Sequence, residues 1–162
     1  EVGQIEVRGA NVFKGYWQMP EKTAAELRED GFFITGDLGK IDADGYVHIV
    51  GRNKDLIISG GYNIYPKEIE LILDEQPGVL ESAVIGVPHA DFGETVVGLI
   101  VSEPGANPDL DAIQAAVSDG LARFKHPRKL IVVDTLPRNT MGKVQKNILR
   151  DTYADLFAPV AE

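Results

Sequence analysis

The sequence predicts an α+β fold in two parts: a β-rich opening over residues 1–53 and a small α+β unit over residues 54–162. Three observations carry that expectation. The opening residues alternate apolar and polar side chains around tight-turn chemistry. After Lys54, strand-like and helix-like stretches follow one another at short intervals. The composition, 44% hydrophobic and 25% charged, is that of a globular protein able to bury a core without covalent staples.

Each element has a local cause. Gly3-Gln4-Ile5-Glu6-Val7-Arg8-Gly9 alternates as a half-buried strand does. Pro20 and the run Thr23-Ala24-Ala25-Glu26 offer a capping box, in which the threonine oxygen and the glutamate three residues on satisfy free donors at a helix start. A short helix to about Glu29 is expected there, with Gly31 ending it. Asp42-Ala43-Asp44-Gly45 is a tight turn between Leu38–Ile41 and Tyr46–Val50, which reads as a hairpin. A short strand over Leu56–Ser59 leads into Gly60-Gly61, and a helix follows from Pro66 to about Glu75, since proline suits a helix's first turn. Strands are expected over Leu80–Val87 and Val96–Val101, then a helix from Asp109 to about Arg123, a strand over Leu130–Asp134 and a last helix from Lys143 to about Leu156. Val87-Pro88-His89-Ala90-Asp91-Phe92-Gly93-Glu94 is expected to shape a turn and its packing, with no acid–base role for His89. No repeat, low-complexity tract or Pro/Ser-rich linker separates the parts, so the join at residues 51–55 is a short hinge if the parts move.

Composition excludes several classes of function. The longest apolar runs, such as Leu130-Ile131-Val132-Val133, are far shorter than the ~20 residues that span a bilayer, and no membrane partner is expected. The chain has no cysteine, which removes disulfides, thiol catalysis and thiolate-bound zinc, and we expect a cytoplasmic protein. His48, His89 and His126 have no paired spacing, so no built-in metal site is expected. A net charge of −9 argues against nucleic acid as a partner. The cations are nevertheless clustered: Arg123 to Arg150 carries eight Lys or Arg against one acid, Asp134. That segment either meets a small anionic ligand or is a solvated face with its counter-charges elsewhere in the fold. Glu1 opens the chain in place of Met, and we expect a longer polypeptide.

Three stretches concentrate the chemistry. In Phe33-Ile34-Thr35-Gly36-Asp37-Leu38, the carboxylate at a strand end can accept from two vicinal hydroxyls at once, although a lone Asp37 is also an ordinary turn or cap residue. The long run from Gly51-Arg52-Asn53-Lys54-Asp55 through Ser59-Gly60-Gly61-Tyr62-Asn63 to Glu68-Ile69-Glu70 holds an arginine that alone would be a surface ion pair. Its glycine pair admits either a close ligand contact or a simple tight turn. Pro137-Arg138-Asn139-Thr140-Met141-Gly142-Lys143 presents one cation, either for a phosphate-using site or as an exposed lysine opening a helix. It is not a Walker loop, because Pro137 stands where that pattern has its first glycine. No Gly-x-Ser-x-Gly elbow, His-Glu-x-x-His pair or Gly-x-Gly-x-x-Gly run occurs.

In this order and spacing the three stretches resemble the adenylate-forming acyl-CoA synthetases of the ANL superfamily, over nearly the whole chain. The resemblance implies that residues 1–53 end a large ATP- and acyl-binding domain and that 54–162 form its mobile C-terminal lid. It implies activation of a carboxylic acid by ATP with Mg²⁺, held with ATP and not by this chain alone, to an acyl-adenylate that passes to coenzyme A. Lys143 would bridge the carboxylate and α-phosphate, Asp37 and Arg52 would hold the ATP ribose, and Lys54 would be the hinge. Ser59, Gly60, Gly61 and Tyr62 would line the path of the CoA arm. In bacterial members the same lysine is modified by protein lysine acetyltransferases and restored by deacetylases, which implies acetylation at Lys143. The texture from Gly60 to Glu94 is most like bacterial malonyl-CoA synthetases and implies malonate or methylmalonate. The alternatives are an adenylation domain that loads a carrier protein, or a fragment that serves only as an acetyltransferase substrate. Without the rest of the polypeptide, little or no adenylation is expected.

Overall fold

The computed structural model describes residues 1–158 and divides after Lys54 into two units, Glu1–Lys54 and a second that starts at Asp55. In the first, β1 (Gly3–Val7), β2 (Phe33–Ile41) and β3 (Val47–Arg52) form an antiparallel sheet in that order. The expected hairpin is present. Asp42 closes its turn by accepting from the amides of Asp44 and Tyr46 through one oxygen, while the other lies 2.6 Å from Nε2 of His48. These contacts, the His48 hydrogen bond foremost and then the Tyr46 amide, hold the Asp42 carboxyl below the ordinary carboxylate range. Buried apolar side chains begin only at Ile57, and Ile41, Val47 and Ile49 of the hairpin are exposed.

One expectation for this unit is corrected. The helix α1 covers Pro20–Glu26, ending three residues early, and no side chain caps it. Pro20 sits in its first turn, so the helix is already under way when it reaches Thr23. The Thr23 hydroxyl donates to the Met19 carbonyl and accepts from the Tyr16 amide, and Glu26 accepts from the Tyr16 phenol at 2.5 Å. A bridge between Leu27 and Phe33 draws the chain out of the helix before Glu29.

The second unit is a five-stranded sheet with helices on both faces. Its frame is the antiparallel pair β6 (Val79–His89) and β7 (Gly93–Ser102), matched from Val79↔Ser102 to His89↔Gly93. The other edge of β7 carries β8 (Lys129–Val133), parallel along Val97–Val101, and meets β4 (Ile57–Ser59) at Ser59↔Gly93. Consecutive side chains of a strand point to opposite faces, which explains the unbroken apolar runs in β6 and β7. Val84, Val96 and Ile100 pack on one face with Ile69 and Leu73 of α2 (Pro66–Asp74) and Ile113 and Val117 of α3 (Leu110–Gly120). Ala83, Ile85, Val97 and Leu99 pack on the other with Leu136 and with Leu149 of α4 (Lys146–Thr152).

Three local expectations change here. A strand not foreseen, β5 (Tyr62–Ile64), pairs with β4, so Gly60-Gly61 is a two-residue hairpin turn. Its φ values of +56° and +83° belong to the primed turn whose twist matches the strands it joins, a conformation that glycine reaches without strain. The helix begun at Asp109 ends at Gly120, and Arg123–Lys125 form a separate 3₁₀ turn. The last helix begins at Lys146, not Lys143, because the Lys143 carbonyl accepts from the Asn139 amide, Val144 is bridged to Arg138 and the Gln145 amide donates to the Pro137 carbonyl.

Candidate functional site

Asp37 and Arg52 are directly opposed across β2 and β3, with Nε of Arg52 2.8 Å from Oδ1 of Asp37. The arginine also donates to the Thr35 carbonyl at 3.2 Å, and the Thr35 hydroxyl accepts from the Asp37 amide while donating to the Ile5 carbonyl. The acid is therefore aimed from three strands at once. One arginine contact leaves a carboxylate with acceptor capacity for two more donors. Both residues line a cavity of about 690 Å³ whose walls include Tyr16, Glu26, Thr35 and Lys54. The hydrogen bond to Glu26 pushes the Tyr16 phenol above its ordinary value, and it uses the phenol's one donor, leaving the oxygen as an acceptor in that wall. Lys54 is exposed, in a 3₁₀ turn over Asn53–Asp55.

The glycine turn borders a separate cavity of about 360 Å³ in the second unit, lined by Ser59, Gly60 and Tyr62 but not by Gly61. The Gly60 amide donates to the Phe92 carbonyl at 2.9 Å, and a Cβ at Gly60 would stand 3.2 Å from the Phe92 ring, so the glycine turn lies close against the turn between β6 and β7. Tyr62 stacks on Phe124 with centroids 4.5 Å apart, and the Arg128 guanidinium lies 4.5 Å over the Phe92 ring. Arg123, His126 and Pro127 complete the wall. Aromatic faces beside two guanidinium groups suit a flat, anionic group on a flexible arm. Sequence alone does not mark Phe92, Phe124 and Arg128 as site residues; the basic segment is the one signal that points toward the last two.

Lys143 stands elsewhere. Its loop is closed by a bridge between Arg138 and Val144, and Leu136 and Val144 on either side pack into the core beneath α4. Gly142 has φ +77°. The lysine is exposed, and its amine has no hydrogen-bond or ion-pair partner among the described residues. The rest of the basic segment is divided. Lys125 pairs with Glu68, Arg138 with Glu81, Lys146 with Glu70 and Arg150 with Asp55. Counter-charge from elsewhere in the fold thus accounts for half of the cluster, and Lys143 belongs to the other half.

Lys143 and the glycine turn lie toward opposite ends of the β6–β7 ladder. Glu81, which holds the Lys143 loop through Arg138, lies eight residues along β6 from His89, which pairs with Gly93 beside Ser59. Eight residues of strand span roughly 26 Å.

Residues 68–143 match the family model described as the AMP-binding enzyme C-terminal domain. ATP-bound MatB of Rhodopseudomonas palustris is similar in structure, with a TM-score of 0.88 and 64% identity, covering 97% of this chain and 31% of that one. Among curated relatives, a propanoyl:CoA ligase of Rhodococcus jostii with a methyl-dioxo-octahydro-indenyl acyl group is 49% identical over 92% of this chain and 29% of its own length. The 2-succinylbenzoate–CoA ligase of Geobacillus kaustophilus is 43% identical over 93% of this chain and 30% of its own. The chain thus spans about a third of the length of the proteins it matches. On its motifs, its fold and these matches, the chain carries the AMP-binding enzyme C-terminal domain and is similar to about a third of the CoA ligases and of MatB.

Proposed function

We propose that the chain is the lid, with the adjoining end of the large domain, of a synthetase that converts a carboxylic acid, ATP and coenzyme A to acyl-CoA, AMP and pyrophosphate. The observation that carries the reading is the unpartnered Lys143 amine on a braced loop, in the half of the basic segment that no acid among the described residues neutralises. When the carboxylate attacks the α-phosphorus and pyrophosphate leaves, negative charge gathers on the phosphoryl oxygens, and a preorganised cation stabilises it by several kcal/mol. Lys143 supplies that cation and touches the carboxylate and the α-phosphate. Asp37 and Arg52 take the ribose. Mg²⁺ enters with ATP.

The second step uses the other end of the sheet. The lid turns about Lys54, withdrawing Lys143 and bringing Ser59, Gly60 and Tyr62 to the thiol's path, with Gly61 letting the hairpin turn tightly; such gating separates the half-reactions. The division after Lys54 and its exposure support that assignment. The acid is malonate or methylmalonate. Support comes from the stretch Gly60 to Glu94 and from 64% identity to MatB, against 43–47% for relatives named for succinylbenzoate, ferulate, indoleacetate and long-chain fatty acids.

In the intact synthetase, malonate should support ATP–pyrophosphate exchange and yield malonyl-CoA with free CoA. Exchange only with aryl or long-chain acids would remove the malonate assignment, and failure with free CoA alongside transfer to a carrier protein would replace the CoA assignment. The isolated 162-residue chain should give no exchange. The same exposed amine is the site of reversible acetylation, which cancels its charge. A protein lysine acetyltransferase with acetyl-CoA should modify the wild-type chain and spare Lys143→Arg, with a deacetylase restoring the amine; labelling confined to other lysines would reject this.

A further inference from the structure

The peptide between Gly142 and Lys143 is pinned at both of its polar atoms. Its carbonyl accepts from Nη1 of Arg138 at 2.6 Å, and its N–H donates to Oδ1 of Asn139 at 2.9 Å. Asn139 also takes the Met141 amide on the same oxygen, accepts the Gly142 amide on its carbonyl, and donates its own amide to the Lys143 carbonyl. This matters because Gly142, at φ +77°, is a residue for which other backbone conformations are equally accessible. Without the two pins the peptide plane can flip, and the Cα–Cβ bond of Lys143 turns with it.

Arg138 holds its place by a second contact, in which Nη2 donates to the Glu81 carboxylate on β6. From Glu81 to His89 that strand pairs residue by residue with β7, after a register shift between Val79 and Glu81, and over residues 83–87 it is buried on both faces, so it is the reference to which Arg138 is tied. Arg138 and Glu81 are partly exposed, at 43% and 30% of their side-chain surface. Pairs of that kind contribute little to folding. Their geometry instead transmits the position of the strand to the carbonyl next to Lys143.

We propose that Arg138, anchored by Glu81, is a positioning residue that fixes where the Lys143 amine is presented, and that it serves acid activation and not thioester formation. The proposal rests on the assignment of Lys143 to activation made above. A guanidinium fork can reach a carboxylate and a carbonyl in fixed relation, which an ammonium point charge does not reproduce. Misplacing a reacting group by about 1 Å can cost about a hundredfold in rate. The glycine turn lies toward the far end of β6 from this loop, so thiol transfer should be indifferent to it.

The test uses the intact synthetase with malonate as the acid. Activation is followed by pyrophosphate exchange, and thioester formation by single-turnover transfer from synthetic malonyl adenylate to CoA. Arg138→Ala should lower exchange by about tenfold to a hundredfold and leave transfer within about twofold of wild type. Glu81→Ala and the milder Glu81→Gln should fall in the same direction, and Arg138→Ala with Glu81→Ala together should be no worse than Arg138→Ala alone. Unchanged exchange in Arg138→Ala, or exchange and transfer falling together in Glu81→Gln as well as in the alanine variants, overturns the proposal. Lys143→Ala is measured in parallel. If its exchange is intact, the assignment of Lys143 fails and the clamp with it; if it is impaired while Arg138→Ala is not, the clamp alone fails.

Discussion

At the residue scale, the candidate site depends on side chains whose partners decide what they can still bind. Asp37 is held by Arg52 and by its own amide's bond to Thr35, yet its carboxylate retains room for two hydroxyl donors. Hydrogen bonds to a charged acceptor contribute about 1.5–3 kcal/mol each. Asp37→Ala in the intact synthetase should therefore weaken ATP binding by about tenfold or more, measured by calorimetry, with binding of CoA unchanged; equal weakening of both would show that the acid only braces the sheet. Asp42 offers a check on local electrostatics. Its carboxyl is depressed by His48 first and by the Tyr46 amide next, so it stabilises the folded hairpin above the ordinary aspartate range, and that contribution is lost as pH falls through its lowered folded-state value. Carbon-detected NMR should find its midpoint below an unstructured aspartate, and His48→Ala should raise it. A midpoint that ignores His48 would contradict the hydrogen bond.

At the element scale, the two anchors of the Lys143 segment differ in kind. Glu70 is buried, accepts the Val84 amide and meets the Lys146 amine, so it fixes the start of α4 to the sheet. Removing one partner strands the other: Glu70→Ala should cost about 3 kcal/mol in urea unfolding, whereas Arg138→Ala should stay within about 1 kcal/mol. A reversed order would mean that the clamp is the structural contact and the buried pair the dispensable one. Much of this architecture was legible in sequence where the cue is local. Asp109 caps α3 by accepting from the Asp111 and Ala112 amides, Pro66 opens α2, and the apolar runs of β6 and β7 are the buried strands they resemble. The misses have local causes too. Thr23 followed by Glu26 has capping-box spacing, but Pro20 opens the helix earlier; Lys143 has helix-forming neighbours, but its carbonyl is held by the Asn139 amide and Val144 by the bridge to Arg138. Three-residue strands such as Tyr62–Ile64 carry too short a pattern to detect by alternation.

At the scale of the whole molecule, the glycine turn and the basic loop after α3 are some sixty residues apart in sequence, and only the sheet brings Tyr62 onto Phe124 and Phe92 under Arg128. No pattern in one sequence reports such a meeting. Asp37, Arg52, Ser59–Tyr62 and Lys143 stand out in sequence because each lies in a short run of unusual residues, whereas Phe92 and Glu81, which touch the glycine turn and the Arg138 clamp, are ordinary residue types whose contacts only the fold reveals. The same sheet holds Lys143 near one end and the glycine turn near the other, which is the arrangement that the proposed lid, serving two successive reactions, needs. Replacing the amine tests this most directly. In the intact synthetase, Lys143→Ala should slow formation of malonyl adenylate by about a hundredfold or more while transfer from supplied adenylate to CoA proceeds at the wild-type rate. Adenylate formation undiminished by that substitution would contradict the account.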